Sequence, residues 1–248
     1  MKQYVFIFMT VFFLCIACSK YVEVDKPSNE LIAEGVALMD SKKYEKAAKK
    51  FENAILNAET PEEAQHAQRM LGDAYFMRKN YLDAIAAYEV YYDIYYQSPF
   101  APYILNRLGL SCSELSLHPK RDQTFALKSV DYFDQLEALY PEEFEEYGAG
   151  DNRYKMYLKL SEYEYQVGRY YMRTGKPESA ILRFKYLQNN YPATPRLEDS
   201  HRLMVESALR LNDGRFAAAQ YLQEFTDSYP SSKHLKGLAK KVEKKLKK

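Results

Sequence analysis

The chain has 248 residues and a formal net charge of +1; it is 47% apolar and 28% charged. This balance excludes a disordered chain and an integral membrane protein, and it gives no electrostatic basis for binding nucleic acid. With only 9 Gly, no Trp and 24 Tyr, the composition disfavours an all-β protein and favours an all-α fold in which many side chains lie near the surface.

The first segment of the chain has the pattern of an export signal. Lys2 precedes an apolar run that ends at Ala17, and this run of about 14 residues is shorter than the roughly 20 that a membrane-spanning helix needs. Ala17-Cys18 is typical of a bacterial lipobox, in which the cysteine is acylated. An ordinary secretory signal or a short membrane anchor is the alternative. We predict a lipoprotein signal peptide at 1–17, lipidation at Cys18 and a lipid-linked leader at 18–27.

The body of the chain is repetitive. Gly35, Gly72 and Gly109 are 37 residues apart, and Gly168 follows; a period near 34 residues is typical of tetratricopeptide (TPR) helical hairpins. Downstream of these glycines, a small residue precedes a large one by four positions, which puts both on one helix face. The pairs are Ala47/Phe51, Ala84/Tyr88, Ser129/Phe133, Ala180/Phe184 and Ala218/Leu222. The sequence therefore predicts an all-α, TPR-type solenoid of about five hairpins, at about 28–61, 65–98, 102–141, 155–191 and 199–230.

Two segments interrupt or end the array. The acidic, glycine-containing segment 142–154 predicts a hinge between a three-repeat module at 28–141 and a two-repeat module at 155–232. The tail 233–248 holds eight Lys and one Glu, a net charge of +7. Its apolar residues recur every three or four positions, so we predict a basic helix whose apolar stripe caps the last repeat and whose Lys face meets acidic partners or anionic headgroups. That stripe comprises Leu235, Leu238, Val242 and Leu246.

No pattern in the sequence carries catalytic, metal or cofactor chemistry. The histidines are scattered, and a zinc site needs several convergent ligands. Gly148-Ala149-Gly150 lacks the rest of a dinucleotide-binding loop. Cys112 falls on the packing face of the third repeat, where a small buried residue is expected. We therefore expect no enzyme, no metal and no cofactor.

One helix face is left to bind a partner. In the first helix of each repeat, the positions that do not pack should line a concave surface. A mixture of apolar and polar side chains there suits an extended peptide, because pockets take its side chains while polar groups hold its backbone. The predicted groove residues are Ile32, Met39, Arg69, Asp73, Phe76, Tyr103 and Asn106.

Four stretches along the chain are similar to the BamD family, also called YfiO or ComL. They are the leader at 23–30, the Pro-Phe-x-Pro-Tyr turn within 98–103, Asp122-Gln123-Thr124, and a block that runs from Leu160-Ser161-Glu162 through Arg183-Phe184 to Tyr191-Pro192. The insertion at 142–152 and the Lys-rich tail depart from the family pattern.

The resemblance implies a non-enzymatic, lipid-anchored adaptor on the periplasmic face of the outer membrane. In this family the C-terminal half docks on the POTRA domains of a BamA-like barrel insertase, the N-terminal half binds unfolded β-barrel proteins, and accessory lipoproteins are further partners. The family block aligns Arg183 with an arginine that faces the POTRA domains, so we expect Arg183 to dock there and to point off the packed face.

Two other functions fit the residues less fully. A generic periplasmic TPR lipoprotein that scaffolds peptidoglycan or division proteins would keep the repeats without the Asp122-Gln123-Thr124 and Arg183-Phe184 blocks. A lipid-anchored enzyme or glycan-binding protein would need convergent acids or an aromatic platform in a closed pocket.

Overall fold

The computed structural model describes residues 26–119 and 121–247, and in these ranges every regular element is a helix. The helices are α1 (Ser28–Asp40), α2 (Tyr44–Leu56), α3 (Pro61–Met77), α4 (Tyr81–Tyr95), α5 (Ala101–Leu115), α6 (Thr124–Leu139), α7 (Pro141–Glu146), α8 (Ala149–Arg173), α9 (Pro177–Asn190), α10 (Leu197–Ala208), α11 (Arg215–Ser228) and α12 (Leu235–Leu246). The all-α prediction is confirmed. The predicted signal peptide, Cys18 and most of the leader lie outside the described residues. Among the described residues, none of these helices combines the length and the hydrophobicity that a membrane span requires.

The chain forms two compact units that divide between Arg78 and Lys79. In the first unit, α1 and α2 form a hairpin and α3 packs on α2. In the second unit, the predicted third, fourth and fifth repeats correspond to the packed pairs α5/α6, α8/α9 and α10/α11. The helices of the predicted second repeat, α3 and α4, belong to different units.

Three hairpins close around a glycine and a buried phenylalanine. A Cβ atom added to the glycine would lie only 2.4–2.6 Å from the ring, nearer than real Cβ atoms approach other groups, and each ring is fully buried. Only glycine therefore lets the two helices come this close. The pairs are Gly35/Phe51 in α1/α2, Gly109/Phe133 in α5/α6 and Gly168/Phe184 in α8/α9. These contacts confirm the TPR-type hairpin that the repeat spacing predicts.

The fifth repeat uses a different core residue from the one predicted. Ala218 is fully buried as expected, but Leu222 is only partly buried, and Tyr221 and Phe225 fill the space instead. The buried face of α11 therefore consists of positions 218, 221 and 225, which form one helical stripe. Position 222 lies beside this stripe.

The segment 142–154, predicted as a hinge, is helical and packed. It contains most of α7 and the start of α8, joined at Gly148, whose φ of 59° is a left-handed conformation that glycine adopts at little cost. Phe144 is buried in a cluster with Phe133 and Leu136 of α6. Arg153 Nη1 donates a hydrogen bond at 2.8 Å to Asp134, also on α6. The segment is therefore attached to the preceding helix, and the module boundaries at 28–141 and 155–232 remain predictions.

The basic tail ends in α12, which packs on α11. Leu238 and Val242 are each 3% exposed and belong to the same core cluster as Phe225, while Leu235 is partly buried there. Leu246, the last residue of the predicted stripe, is 42% exposed. The helix therefore covers the end of the core, and two of its four stripe residues are buried there.

Candidate functional site

A cavity of about 590 Å³ opens in the first unit between α1 and α3. Ile32 and Val36 of α1 give it an apolar side, with Ile32 buried and Val36 half-buried. Polar groups surround them, since the other lining residues include Asn29, Glu62, Glu63 and His66. Of these lining residues, Ile32 belongs to the groove set predicted from the sequence.

The polar rim of this cavity is held by the start of α3. The Glu63 backbone N–H donates to Thr60 Oγ1 at 3.3 Å, and Glu63 Oε2 accepts from the Glu59 backbone N–H at 3.1 Å. This reciprocal capping satisfies donors at the helix start and fixes the position of the Glu63 carboxylate. Partial burial and the nearby Arg69 cation lower the pKa of His66. The rim therefore presents the fixed Glu63 carboxylate beside an imidazole whose neutral form is favoured.

The other predicted groove residues of the first unit do not line this cavity. Arg69 and Asp73 lie one turn apart on α3, and Arg69 Nη1 is 3.4 Å from Asp73 Oδ2. Met39, near the end of α1, and Phe76, near the end of α3, are half-buried. Of the predicted set in this unit, the structure brings only Ile32 to the cavity wall.

In the second unit, the two predicted groove residues lie one turn apart along α5. Tyr103 Oη accepts a hydrogen bond from Arg107 Nε at 2.8 Å, and the guanidinium lies 5.0 Å from the centre of the tyrosine ring. Asn106 Oδ1 is buried and accepts no hydrogen bond within the described residues. A buried acceptor without a donor costs about 1–3 kcal/mol, so this oxygen is an unfavourable feature of α5 as it stands.

Arg107 was not predicted from the sequence. It follows Tyr103 by four residues on the same helix, and this spacing brings side chains together. The spacing was therefore the available signal for the pair.

Arg183 on α9 forms an ion pair with a buried carboxylate on α8. Its Nη1 lies 3.2 Å from Glu164 Oε2; the Arg183 side chain is 42% exposed, whereas that of Glu164 is 8% exposed. Burial raises the pKa of Glu164, although Arg183 acts in the opposite direction. Arg183 is thus both a surface cation and the partner that neutralises a core carboxylate.

Sequence reasoning missed Glu164. It lies four residues before Gly168 and next to Tyr165, both of which are buried in the hairpin. A carboxylate at a packing position of a helix requires a cationic or hydrogen-bonding partner, because a buried unpaired charge is costly. That signal was available, but the partner was not identifiable until the hairpin brought α9 next to α8.

A second ion pair on α8 behaves differently. Arg196 Nε is 2.5 Å from Glu162 Oε2, and Gln166 Nε2 donates to Glu162 Oε1 at 2.6 Å. The pKa of Glu162 is lowered, since these hydrogen bonds outweigh the opposing effect of partial burial. Two glutamates two residues apart therefore have opposite pKa shifts, because only Glu162 accepts short hydrogen bonds from two different side chains.

Asp122, Gln123 and Thr124 build the loop between α5 and α6. Asp122 Oδ1 accepts from the Thr124 backbone N–H at 3.0 Å and from Thr124 Oγ1 at 2.7 Å, and these bonds lower the pKa of Asp122. Gln123 is buried, and its Nε2 donates to the carbonyls of Arg121 at 2.8 Å and His118 at 3.2 Å. This motif closes a loop and starts a helix.

A metal site or a reactive thiol depends on where the His, Cys, Asp and Glu side chains lie in the described part of the chain. Among residues 26–119 and 121–247, no three His, Cys, Asp or Glu side chains are placed to hold a metal ion. Cys112 is fully buried, as predicted, and burial raises the pKa of its thiol to about 12. The thiol is therefore protonated at neutral pH and inaccessible to reagents.

Comparison with known proteins identifies sequence relatives. The YfiO family model, described as "Outer membrane lipoprotein", matches residues 24–215. A protein of Rickettsia prowazekii named "Outer membrane protein assembly factor BamD" is 28% identical over 220 residues, which cover 84% of this chain and 85% of the relative. A protein of the same name from Caulobacter vibrioides is 24% identical over 190 residues, 75% of this chain and 61% of that relative.

Comparison with solved structures also found a TPR protein. The TPR2AB domain of yeast Sti1, in complex with pHSP90, is 12% identical and has a TM-score of 0.40; the match covers 82% of this chain and 78% of that chain. The hairpin architecture of the present protein rests on its own helix contacts.

Proposed function

Because the chain belongs to the YfiO family of outer membrane lipoproteins, we propose that it is a lipid-anchored adaptor in the assembly of β-barrel outer-membrane proteins. The family match over residues 24–215, α1 through α10, carries this proposal. The names of the two BamD relatives support it. The protein is not an enzyme, and its stacked hairpins offer faces for binding other proteins.

Cys18 is the proposed site of the lipid that holds the protein at the periplasmic face of the outer membrane. Acylation needs the cysteine thiol, so Cys18→Ala should leave the protein unprocessed or release it into the soluble periplasm. Cell fractionation measures this directly. Full retention of the variant in the outer membrane would contradict lipidation as the main anchor.

We propose that the α1/α3 cavity binds apolar side chains of unfolded barrel proteins. The apolar wall of Ile32 and Val36 can bury such a side chain, while the carboxylates of Glu62 and Glu63 can accept hydrogen bonds from a peptide backbone. The remaining predicted groove residues are proposed as further contacts made by each unit: Met39, Arg69, Asp73 and Phe76 in the first, and Tyr103 and Asn106 in the second.

Arg183 is the proposed contact with the POTRA domains of a BamA-like insertase, with accessory lipoproteins of the same machinery as additional partners. Its bonds to Glu164 use Nη1, and within the described residues Nε and Nη2 remain available. A guanidinium can bind a second carboxylate through two parallel hydrogen bonds, which a lysine cannot do. The partial exposure of Arg183 allows that approach.

The ion pair with Glu164 determines how this docking must be tested. Arg183→Glu alone would place two carboxylates together and disturb the fourth repeat whether or not the residue docks. In a Glu164→Gln background no buried charge is left unpaired, so Arg183→Ala then reports on docking. We expect Glu164→Gln to co-purify with the barrel insertase and the double variant to lose it.

The control for that experiment is thermal melting of both variants. If the double variant melts like Glu164→Gln and still co-purifies with the insertase at the wild-type level, Arg183 is not part of the interface. The wider proposal is tested by affinity purification of the wild-type protein from detergent-solubilised envelopes. Recovery of a POTRA-containing barrel protein supports the adaptor, whereas recovery of division or peptidoglycan-synthesis proteins in its place would favour the scaffold alternative.

A further inference from the structure

The C-terminal helix α12 carries a row of lysines on the face opposite its packed stripe. Leu238 and Val242 are buried against the last repeat. With 3.6 residues per turn, Lys236, Lys240 and Lys244 lie roughly 160° to 240° around the helix axis from Leu238. All three are exposed. Packing of the apolar stripe therefore fixes the direction in which the lysines point.

The positive charge of this face is poorly neutralised within the chain. The helix has one acidic residue, Glu243, which lies 2.5 Å from Lys247. Lys245 Nζ donates to the Leu211 carbonyl at 3.0 Å. Within the described residues, no carboxylate lies within ion-pair distance of Lys236, Lys240, Lys241 or Lys244. The face is therefore a local concentration of cations on a protein whose total charge is close to zero.

We propose that the lysine face of α12 binds the anionic phospholipid headgroups of a membrane surface. From residue 216 to 248 the cations are all Lys, with no Arg. Lys carries a compact, hydrated charge on a flexible stem, which suits many mobile phosphates better than one fixed carboxylate pair. A straight row from Lys236 to Lys244, roughly 12 Å long at 1.5 Å per residue, can meet a flat surface along its whole length.

The packing of α12 also determines how it binds. A basic amphipathic helix usually inserts its apolar face among the acyl chains. Here Leu238 and Val242 already pack in the protein core, so α12 attaches through its lysines alone. Binding is therefore superficial and sensitive to salt, because screening weakens attraction between exposed charges. This role is independent of the proposed adaptor function and of the acyl chain at Cys18.

The test uses the chain from residue 18 onward with Cys18→Ser, so that no acyl chain contributes. Binding is measured by co-sedimentation with phosphatidylcholine vesicles, with and without phosphatidylglycerol. We expect binding only to the anionic vesicles and its loss at high salt. Each lysine near an anionic surface contributes roughly fivefold, so Lys236→Gln, Lys240→Gln and Lys244→Gln together should weaken binding about a hundredfold.

A matched control separates the lysine face from net charge. Lys43→Gln, Lys46→Gln and Lys49→Gln remove the same three charges from exposed positions at or within α2 of the first unit, and should leave vesicle binding nearly unchanged. Unchanged melting temperatures show that both triple variants fold. Equal losses of binding in the two triple variants would overturn the proposal, as would equal binding to uncharged vesicles. Binding to acidic peptides or peptidoglycan sacculi without binding to anionic vesicles would also overturn it.

Discussion

The proposed peptide-binding cavity between α1 and α3 and the proposed docking pair on α8 and α9 are two surfaces of different chemical character. The cavity leaves apolar side chains of α1 uncovered and surrounds them with polar groups. The pair on α8 and α9 keeps a carboxylate in the core and exposes part of the cation that neutralises it. The first surface suits the burial of a partner's side chain, and the second suits a partner's charge.

The scaffold beneath the two surfaces is nevertheless the same. In each hairpin a glycine of the first helix meets a buried phenylalanine of the second, Gly35 with Phe51 and Gly168 with Phe184. The contrast therefore comes from residues outside this contact. A surface property can change from one repeat to the next without a change in the way the repeat folds.

The largest effect is expected at the charged surface. Arg183→Ala leaves the buried Glu164 carboxylate without its cation and should lower the unfolding free energy by about 2–3 kcal/mol, below the usual cost of breaking a fully buried pair because Arg183 is partly exposed. Urea unfolding of the wild type, Arg183→Ala, Glu164→Gln and the double variant measures the coupling. A double variant no more stable than Arg183→Ala would show that Glu164 does not depend on Arg183.

The shared scaffold predicts similar losses in both hairpins. Gly35→Ala and Gly168→Ala each place a methyl group against a buried ring, and overpacking of this kind costs about 1–3 kcal/mol. Gly237→Ala on α12 is the control, because a Cβ there meets no atom within 4 Å. Circular dichroism during denaturation follows all three. If Gly168→Ala left the free energy of unfolding unchanged while Gly35→Ala lowered it, the two hairpins would close differently.

The apolar surface should respond to a charge placed in its wall. Val36→Glu puts a carboxylate in the cavity and should weaken the binding of unfolded barrel-protein peptides about tenfold, or about 1.4 kcal/mol, with little effect on folding because Val36 is half-buried. Ala37→Glu, on an exposed position of the same helix, is the matched control. Fluorescence anisotropy measures affinity. Equal peptide affinity for both variants would exclude the cavity as the binding site.

The smallest expected effect is a difference in pH dependence. The pKa of Glu164 is raised by burial, so its contribution to stability is present below the ordinary glutamate pKa and is lost as pH rises through the higher folded value. The pKa of His66 is lowered by burial, so its contribution is present above the ordinary histidine pKa and is lost as pH falls through the lower folded value. Stability differences between the wild type and Glu164→Gln or His66→Gln, measured across pH, should have opposite slopes. Slopes of the same sign would contradict this assignment.

The hairpins were predictable because the pattern that specifies them is local. A small residue four positions before a large one places both on one helix face whatever surrounds them, and this identified Phe51, Phe133 and Phe184 correctly. The same rule failed in α11. There the rotation of the helix about its axis decides which neighbour is buried, and Tyr221 and Phe225 fill the core where Leu222 was expected.

The sequence alone determined the helical class, the repeated TPR-type hairpins and the family, because these depend on spacings along one chain segment. The tertiary structure decided which side chains meet across segments. Arg183 and Glu164 are 19 residues apart and pair only because the Gly168/Phe184 contact brings α8 and α9 together. The segment 142–154 has the acidic and glycine residues of a loop, yet the burial of Phe144 makes its first turn a packed helix. Such outcomes depend on burial and helix rotation, which a linear pattern does not record.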